Sequence, residues 1–138
     1  MVRVIMHGCN GRMGQVITEM IAKEAEMEIV AGVDVSDSVH NTYPVFKTLK
    51  DCDVEADVVI DFANAKAVDG LLDVCVERNL PCVLCTTGLS EEQLAHVKEA
   101  SGKVAILRSA NMSMGINVLS ELCKRASAIL GVNYDVEI

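Results

Sequence analysis

The sequence contains few aromatic residues and few basic ones. Phe, Tyr and Trp make up only 3% of its 138 residues, and 12 Lys and Arg residues stand against 20 Asp and Glu residues. The formal net charge of −8 leaves no basic stripe that could neutralise nucleic-acid phosphates. The scarcity of aromatic rings also removes the platforms on which single-stranded bases stack. No nucleic-acid partner is expected, and an anionic ligand must be held by backbone N–H groups or by a few placed side chains.

Long apolar runs are missing as well. Charged residues interrupt every apolar stretch before it reaches the length of a membrane span. The N-terminus enters a strand-like run without the basic region and long apolar segment of a signal peptide. A length of 138 residues with 51% hydrophobic content suits one domain with an ample core. We expect a soluble, cytoplasmic domain without membrane contact.

Cysteine, in contrast, is well represented. The six cysteines are Cys9, Cys52, Cys75, Cys82, Cys85 and Cys123. Most lie in apolar runs, where Cys behaves as a small hydrophobic residue. Cys82 and Cys85 have CxxC spacing, but in a strand positions three apart point to opposite faces. No second pair or histidine partner supports a zinc site. The sequence predicts reduced core cysteines and no metal.

Near-continuous apolar runs alternate with segments of helical period. Such runs, rich in Val and Ile, are typical of parallel strands buried on both faces. The five runs are Val2–Met6, Ile29–Val33, Val58–Phe62, Cys82–Cys85 and Val104–Leu107. One apolar helical stripe consists of Met13, Val16, Ile17, Met20 and Ile21, and a second of Val68, Leu71, Leu72, Cys75 and Val76.

Two further helices are indicated by their ends. Ser90 to Gln93 forms a capping box before one of them, and a helix over about Ile116–Leu130 ends at Gly131. The stretch Asp34–Ala56 is polar and irregular, with one short helix near Leu49. The alternation predicts an α/β fold: a doubly wound, mostly parallel sheet of order 3-2-1-4-5 with helices on both faces. We assign this domain to residues 1–131.

A glycine loop lies between the first strand and the first helix. Its sequence is Gly8-Cys9-Asn10-Gly11-Arg12-Met13-Gly14, the position at which a dinucleotide fingerprint belongs. Such a loop needs a tight turn, backbone that can approach a pyrophosphate, and a helix packed closely on a strand. Asn10 takes the place of the middle glycine of the strict GxGxxG pattern, and Arg12 can add a charge-assisted contact. A turn that only packs the helix on the strand is the plainer explanation.

The end of the second strand favours the ligand-binding interpretation. Asp34 lies 20 residues beyond Gly14, where an acidic residue should accept hydrogen bonds from the adenosine ribose. A solvated strand end would explain Asp34 alone. Loop, spacing and βαβ context together predict dinucleotide binding.

Three stretches, in this order, resemble one family of oxidoreductases. They are GCNGRMG, CTTGLSEEQ (residues 85–93) and SANMSMGIN (residues 109–117), and they resemble dihydrodipicolinate reductase. That family reduces its cyclic substrate with NADH or NADPH in the diaminopimelate route to lysine. The resemblance extends from the first strand to the last residue, and the third stretch is the most specific.

The resemblance implies roles for particular residues. It places the dinucleotide phosphates against Gly8, Cys9, Asn10, Gly11, Arg12 and Met13, and the adenosine ribose against Asp34. It places Cys85, Thr86 and Thr87 beside the nicotinamide ribose, and Ser109, Ala110, Asn111 and Met112 at the nicotinamide end. Both of the latter segments follow strands, at the carboxyl edge where open α/β sheets bind ligands.

The sequence departs from the family pattern at several positions. Cys85 stands where the family usually has glycine, and Met112 where it usually has an aromatic residue. Asp61 begins a segment similar to the family's Asp-Phe element, and we expect it to line the cofactor cleft or cap the next helix, without a catalytic role. His7, at the end of the first strand, His40 and His96 form no HExxH motif.

The last residues alternate between polar and apolar. Tyr134–Ile138 is expected to begin a further strand, and residues 132–138 the start of a second domain. In the family, that domain binds substrate, builds a homotetramer and carries a His-His and Lys motif, which this chain lacks. We therefore assign no catalytic residue. The chain is expected to bind NADH and NADPH, NADH at least equally well, without reducing substrate alone or forming the tetramer.

Two other interpretations remain open. One is a freestanding NAD(H)-binding or sensor module without chemistry of its own. The other is the N-terminal half of an aspartate or homoserine dehydrogenase. The SANMSMGIN stretch favours the reductase.

Overall fold

A computed structural model describes residues 1–135 and residue 137. Strands and helices alternate along the chain. The strands are β1 (Val2–His7), β2 (Met27–Val33), β3 (Val45–Phe46), β4 (Val58–Asp61), β5 (Cys82–Leu84) and β6 (Ile106–Arg108), and the helices are α1 (Arg12–Ile21), α2 (Val68–Glu77), α3 (Glu91–Ser101) and α4 (Met114–Leu130). Three short 3₁₀ turns cover Leu49–Asp51, Ala65–Ala67 and Gly131–Asn133. None of the helices described is long and apolar enough to span a bilayer.

The six strands form one parallel sheet in the order β3-β2-β1-β4-β5-β6. The α/β class and the doubly wound order predicted from the sequence are confirmed. The short strand β3 lies inside residues 34–56, which were expected to be irregular. The sheet therefore has six strands instead of the five predicted for it. The run at Val58, third among the predicted strands, is consequently the fourth and pairs with β1.

Helices α2 and α3 cover one face of the sheet. Ile5, Val59 and Leu84 point from three adjacent strands into the same core cluster as Leu72 of α2 and Val97 of α3. Burial of each such side chain contributes about 1.5–3 kcal/mol. The capping box at the start of α3 is formed as predicted, and the 3₁₀ turn at Leu49 takes the place of the expected short helix.

Helix α1 lies on the opposite face, which is less completely covered. Val4 and Met6 are fully buried there, and Ile21 of α1 is 6% exposed. The predicted apolar stripe of α1 is only partly covered, because Met13 and Met20 are about half exposed or more. Towards the β6 edge, Leu107 is 61% exposed.

Helix α4 ends at Leu130 as the sequence predicts but begins at Met114, two residues before the expected start, and Gly131 follows it with φ of +66°. None of its residues is buried, so the described chain leaves its apolar side uncovered. Of the strand predicted over Tyr134–Ile138, Val136 and Ile138 lie outside the described residues.

The sheet topology fixes where a ligand can bind. The chain leaves β1 towards β2 on one side, and returns to β4 on the other. In open α/β sheets, the crevice beyond the carboxyl ends of the strands at such a reversal is the ligand site. Here that place is the carboxyl end of β1, where the glycine loop begins.

Candidate functional site

Two glycines of the loop between β1 and α1 are required by close backbone contacts. Gly8 has φ of +82°, and a Cβ there would lie 2.7 Å from the carbonyl oxygen of Phe62. A Cβ at Gly14, in the first turn of α1, would collide with the carbonyl oxygen of Gly8 and lie 2.8 Å from the backbone of Cys9. These glycines let the loop turn sharply and let α1 pack against it, as the fingerprint requires.

Gly11 meets no such constraint. A Cβ there would contact a single atom, the carbonyl oxygen of Gly8 at 3.3 Å, and its φ of −74° suits any residue. Gly11 is the N-cap of α1, and no side chain of the described residues caps that end of the helix. The free N–H groups and the positive end of the helix dipole are left for an anion. Gly11 therefore exposes only backbone atoms at the predicted phosphate position.

Asp34, directly after β2, holds the glycine loop in place. One carboxylate oxygen accepts a hydrogen bond from the backbone N–H of Asn10, and the other from that of Ser36, both at 2.9 Å. Each oxygen has a second lone pair, so the carboxylate can still accept from ribose hydroxyls. Asp34 thus combines support of the loop with free acceptor capacity.

Asn10 does not adopt the left-handed conformation that a glycine there could provide. Its side chain links three segments instead. The amide nitrogen donates to the carbonyl oxygen of Ser36 at 2.5 Å, and the amide oxygen accepts from Asn41 at 2.7 Å. Where GxGxxG has a conformationally free glycine, Asn10 therefore provides side-chain hydrogen bonds that connect the loop to residues 36–41.

A cavity of about 850 Å³ opens beside the loop at the carboxyl edge of the sheet. Its walls include Gly8 and Gly11 of the loop, Asp34 after β2, and the segment that follows β4. The volume lies within the usual range for cofactor and small-molecule sites. The structure therefore brings the predicted phosphate loop and the predicted ribose acid to one cavity.

Three lysines line this cavity. They are Lys47, Lys50 and Lys66. Lys47 donates a hydrogen bond to the carbonyl oxygen of Val35 at 3.1 Å and pairs with Asp37. It therefore reaches the loop that directly follows Asp34. Lys50 belongs to the same segment as Lys47, whereas Lys66 comes from the segment after β4.

The other predicted cofactor residues lie outside the cavity. Cys9 is buried beneath the loop, whereas Arg12 and Met13 are exposed. Cys85 and Thr86 are buried and Thr87 is exposed after β5; Ser109 is partly buried, and Ala110, Asn111 and Met112 are exposed after β6. These two segments end neighbouring parallel strands and share the carboxyl edge with the glycine loop. The structure therefore brings Gly8, Gly11 and Asp34 to the cavity and places the segments predicted for the nicotinamide farther along the same edge.

Cys85 is tolerated in place of the family's glycine because the backbone there has no positive φ. Burial, assisted by the charge of Asp61, raises the pKa of its thiol to about 11. Burial and the charge of Asp34 raise the pKa of Cys9 to about 11 as well. Both thiols are uncharged at neutral pH and are not activated nucleophiles. Within residues 1–135 and 137, no cluster of three or more His, Cys, Asp and Glu side chains is arranged to hold a metal ion.

Sequence reasoning missed a buried pair at the ends of β1 and β4. Nδ1 of His7 lies 2.6 Å from Oδ1 of Asp61, and His7 lines the cavity. The same carboxylate oxygen accepts from the backbone N–H of Ala63 at 3.2 Å. The two residues are register partners in adjacent parallel strands. Two polar residues that end apolar runs are the signal that could have indicated this pair.

Comparison with known proteins places these features in a family. A family model described as dihydrodipicolinate reductase, N-terminus, matches residues 2–112. The 4-hydroxy-tetrahydrodipicolinate reductase of Caldanaerobacter subterraneus is 48% identical over all of this chain, which covers 54% of that protein. The enzyme of the same name from Clostridium novyi is 46% identical over all of this chain and 55% of its own length. The chain spans about half the length of the curated relatives it matches.

Solved structures agree on the fold. A dipicolinate-bound dihydrodipicolinate reductase from Paenisporosarcina superposes with a TM-score of 0.80 and 25% identity, over 93% of this chain and 54% of that one. The WlbA dehydrogenase, solved with NADH and UDP-GlcNAcA, superposes with a TM-score of 0.75 at 18% identity, over 94% of this chain and 40% of that one, and supports the fold alone. The chain belongs to the dihydrodipicolinate reductase family, of which it represents the N-terminal domain.

Proposed function

We propose that this chain binds NADH and NADPH as the cofactor domain of a 4-hydroxy-tetrahydrodipicolinate reductase. The observation that carries the proposal is the uncapped N-terminus of α1, which meets the cavity at Gly11, with Asp34 on the same wall. An open helix N-terminus suits a pyrophosphate, and a carboxylate with spare lone pairs suits a ribose. The intact enzyme would act in the cytoplasm, in the diaminopimelate route to lysine.

The nicotinamide half would extend from this cavity along the carboxyl edge of the sheet. Thr86, after β5, has a buried hydroxyl oxygen without a partner among the described residues. The amide oxygen of Asn111, after β6, accepts from the backbone N–H of Ser113 at 2.8 Å and so shapes the next turn. These segments supply polar groups beside the path of the nicotinamide ribose. Bound there, the cofactor would supply the hydride for reduction.

Gly11→Val is the sharpest test of this site. A Cβ at this position would lie 3.3 Å from one backbone oxygen, that of Gly8, so the fold should tolerate the substitution. The valine side chain would then cover backbone that now lines the cavity. We expect NADH affinity to fall at least a hundredfold, because the pyrophosphate can no longer approach the loop. NADH fluorescence suits the titration, since the chain has no Trp.

Gly102→Val is the matched control. Gly102 is also a helix-capping residue, at the C-terminal end of α3, and its φ is also negative (−76°). A Cβ there would lie 3.3 Å from one backbone oxygen, that of Glu99. It lies at the far end of α3 and outside the cavity, so NADH affinity should not change. Equal NADH affinity in the Gly11 variant and the unmodified chain would contradict the site assignment, and a wild-type chain that binds no NADH would contradict the function.

A further inference from the structure

The pair formed by His7 and Asp61 is not accounted for by the fold alone. Asp61 is 0% exposed and His7 is 7% exposed, and among the described residues their side chains hydrogen-bond each other and the turn after β4, where Asp61 accepts from the backbone N–H of Ala63. The second carboxylate oxygen of Asp61, Oδ2, is buried without a partner in the described chain. A buried carboxylate is costly unless a hydrogen-bonded cation accompanies it. His7 is a hydrogen-bond partner of Asp61 that can become a cation.

The other ring nitrogen of His7, Nε2, is accessible. Nδ1 is turned to Asp61, and Nε2 has no hydrogen-bond partner in the described chain. Nε2 is not among the side-chain atoms that are both buried and unpartnered, so it is not enclosed by the described residues. His7 lines the cavity next to Gly8, and we take this cavity as the space that Nε2 reaches.

We infer that His7 is a phosphate contact of this site, donating from Nε2 to the pyrophosphate of the dinucleotide, with Asp61 as its positioning residue. The inference rests on the proposed dinucleotide binding. A phosphate oxygen needs an N–H donor, and with Nδ1 donating to Asp61 only the imidazolium also carries a proton on Nε2. A phosphate in the cavity would add a second anion beside the ring, so binding favours the doubly protonated form.

This contact links binding to pH. Histidine is the side-chain type that ordinarily changes charge between about pH 5 and pH 8. A contact that requires the imidazolium is strongest at the acid end of this range and is lost as the pH rises, because the bound state holds the additional proton.

Titratable groups from several elements surround His7. The cavity wall adds Asp34, Asp73, Glu77 and the three lysines Lys47, Lys50 and Lys66. A hydrogen bond with Cys75, together with burial, raises the pKa of Cys82 on β5, and burial with the charge of Asp61 raises the pKa of Cys85 directly after it. Burial raises the pKa of the Cys9 thiol as well, so all three thiols stay neutral. His40, one residue before the Asn41 that contacts the glycine loop, is the histidine whose contribution must be separated from that of His7.

The test measures the affinity of ADP-ribose and of adenosine at about pH 6 and about pH 8 by calorimetry. The pyrophosphate of ADP-ribose keeps the same charge over this range, and adenosine has no phosphate. We expect ADP-ribose to bind about tenfold more tightly at the lower pH, the value of one hydrogen bond to a charged group. Adenosine affinity should not change with pH.

Four variants assign the effect to His7 and its partner Asp61. His7→Gln keeps an amide near Nε2 without a titrating group, and it should bind ADP-ribose with the same, weaker affinity at both pH values. His40→Gln and His96→Gln, the latter removing a histidine paired with Asp69 between α2 and α3, should keep the full pH dependence. Asp61→Asn retains an acceptor for Nδ1 without the charge, so the pH at which affinity is lost should move downwards.

The wild-type pH profile decides the matter even where a variant fails to fold. If ADP-ribose affinity, relative to adenosine, is the same at both pH values, the inference is overturned. It is also overturned if His7→Gln keeps the pH dependence or if His40→Gln removes it. A wild-type chain that binds neither NADH nor ADP-ribose overturns the proposed function and this inference together, whereas NADH binding with a flat profile overturns the inference alone.

Discussion

At the scale of single residues, Asp34 and Lys47 bring opposite charges to the part of the cavity where we propose that the adenosine ribose binds. The carboxylate of Asp34 can accept from free ribose hydroxyls, and it would repel a 2′-phosphate. Lys47 reaches the adjacent loop, where its ammonium pairs with Asp37. Both residues line the same cavity, and we propose that the balance between NADH and NADPH depends on this pair of groups.

We expect NADH to bind at least as tightly as NADPH, and Lys47→Met to weaken NADPH about tenfold through loss of a charge-assisted contact. NADH affinity should change little. Lys47 and Asp37 are exposed, so their ion pair contributes little to folding. Lys103→Met, which removes a surface pair with Glu99, is the control. A calorimetric preference for NADPH in the wild-type chain would show that Asp34 does not set the selectivity.

At the scale of elements, the helices differ in how they begin. Ser90 caps α3 and Ser113 caps α4 through their hydroxyl oxygens, whereas α1 begins at Gly11 without a side-chain cap in the described chain. Gln93 completes the capping box of α3 and also donates to the carbonyl oxygen of Ala65 at 2.6 Å, which ties α3 to the turn before α2. The capped ends stabilise the fold. Helix α2 also lacks a side-chain cap but continues directly from the 3₁₀ turn at Ala65–Ala67, whereas α1 begins at Gly11 on the cavity, where we propose that its free N–H groups meet a ligand.

Ser90→Ala tests the structural part of this distinction. Loss of the cap should lower the free energy of unfolding by about 1 kcal/mol and leave NADH affinity unchanged. Ser101→Ala, at the other end of the same helix, removes only a hydrogen bond to the carbonyl oxygen of Lys98 and should change stability by less than about 0.5 kcal/mol. Chemical denaturation measures both. Reduced NADH affinity in a folded Ser90 variant would place α3 in the binding site.

At the scale of the whole molecule, the described residues form a six-stranded parallel sheet with a cavity at its carboxyl edge. Hydride transfer to an acceptor needs a second surface that orients the acceptor and supplies a proton. Of the segments predicted at the nicotinamide end, Thr87 and residues 110–112 are exposed, and no residue of α4 is buried. We propose that cofactor binding resides in these 138 residues and that reduction requires residues outside them.

The purified chain should therefore bind NADH but show no substrate-dependent NADH oxidation, and it should not form the tetramer expected of the intact family. Absorbance of NADH measures the first outcome and light scattering the second. An intact relative, assayed in parallel, confirms that the substrate is active. Turnover by this chain would contradict the division of roles, and a tetramer would show that assembly does not need a second domain.

The glycine loop, Asp34, the capping box and most of the strands were predictable because each depends on residues near one another in sequence. β3 was not, since its two residues become a strand only by pairing with Gly32 and Val33. The sequence also could not predict that the α1 stripe is incompletely buried or that α4 is fully exposed. An apolar period shows which side of a helix is apolar, but it does not show what covers that side.

The sequence by itself determined the fold class, the glycine loop and the place of Asp34 after the second strand, since period, spacing and backbone demands are local properties. Only the tertiary structure decided how distant residues meet. His7 and Asp61 are 54 positions apart and become partners through parallel register, and Lys66 reaches the same cavity as Lys47 and Lys50 from a different segment. Such contacts arise from how strands are ordered in the sheet, which no short stretch of the chain encodes.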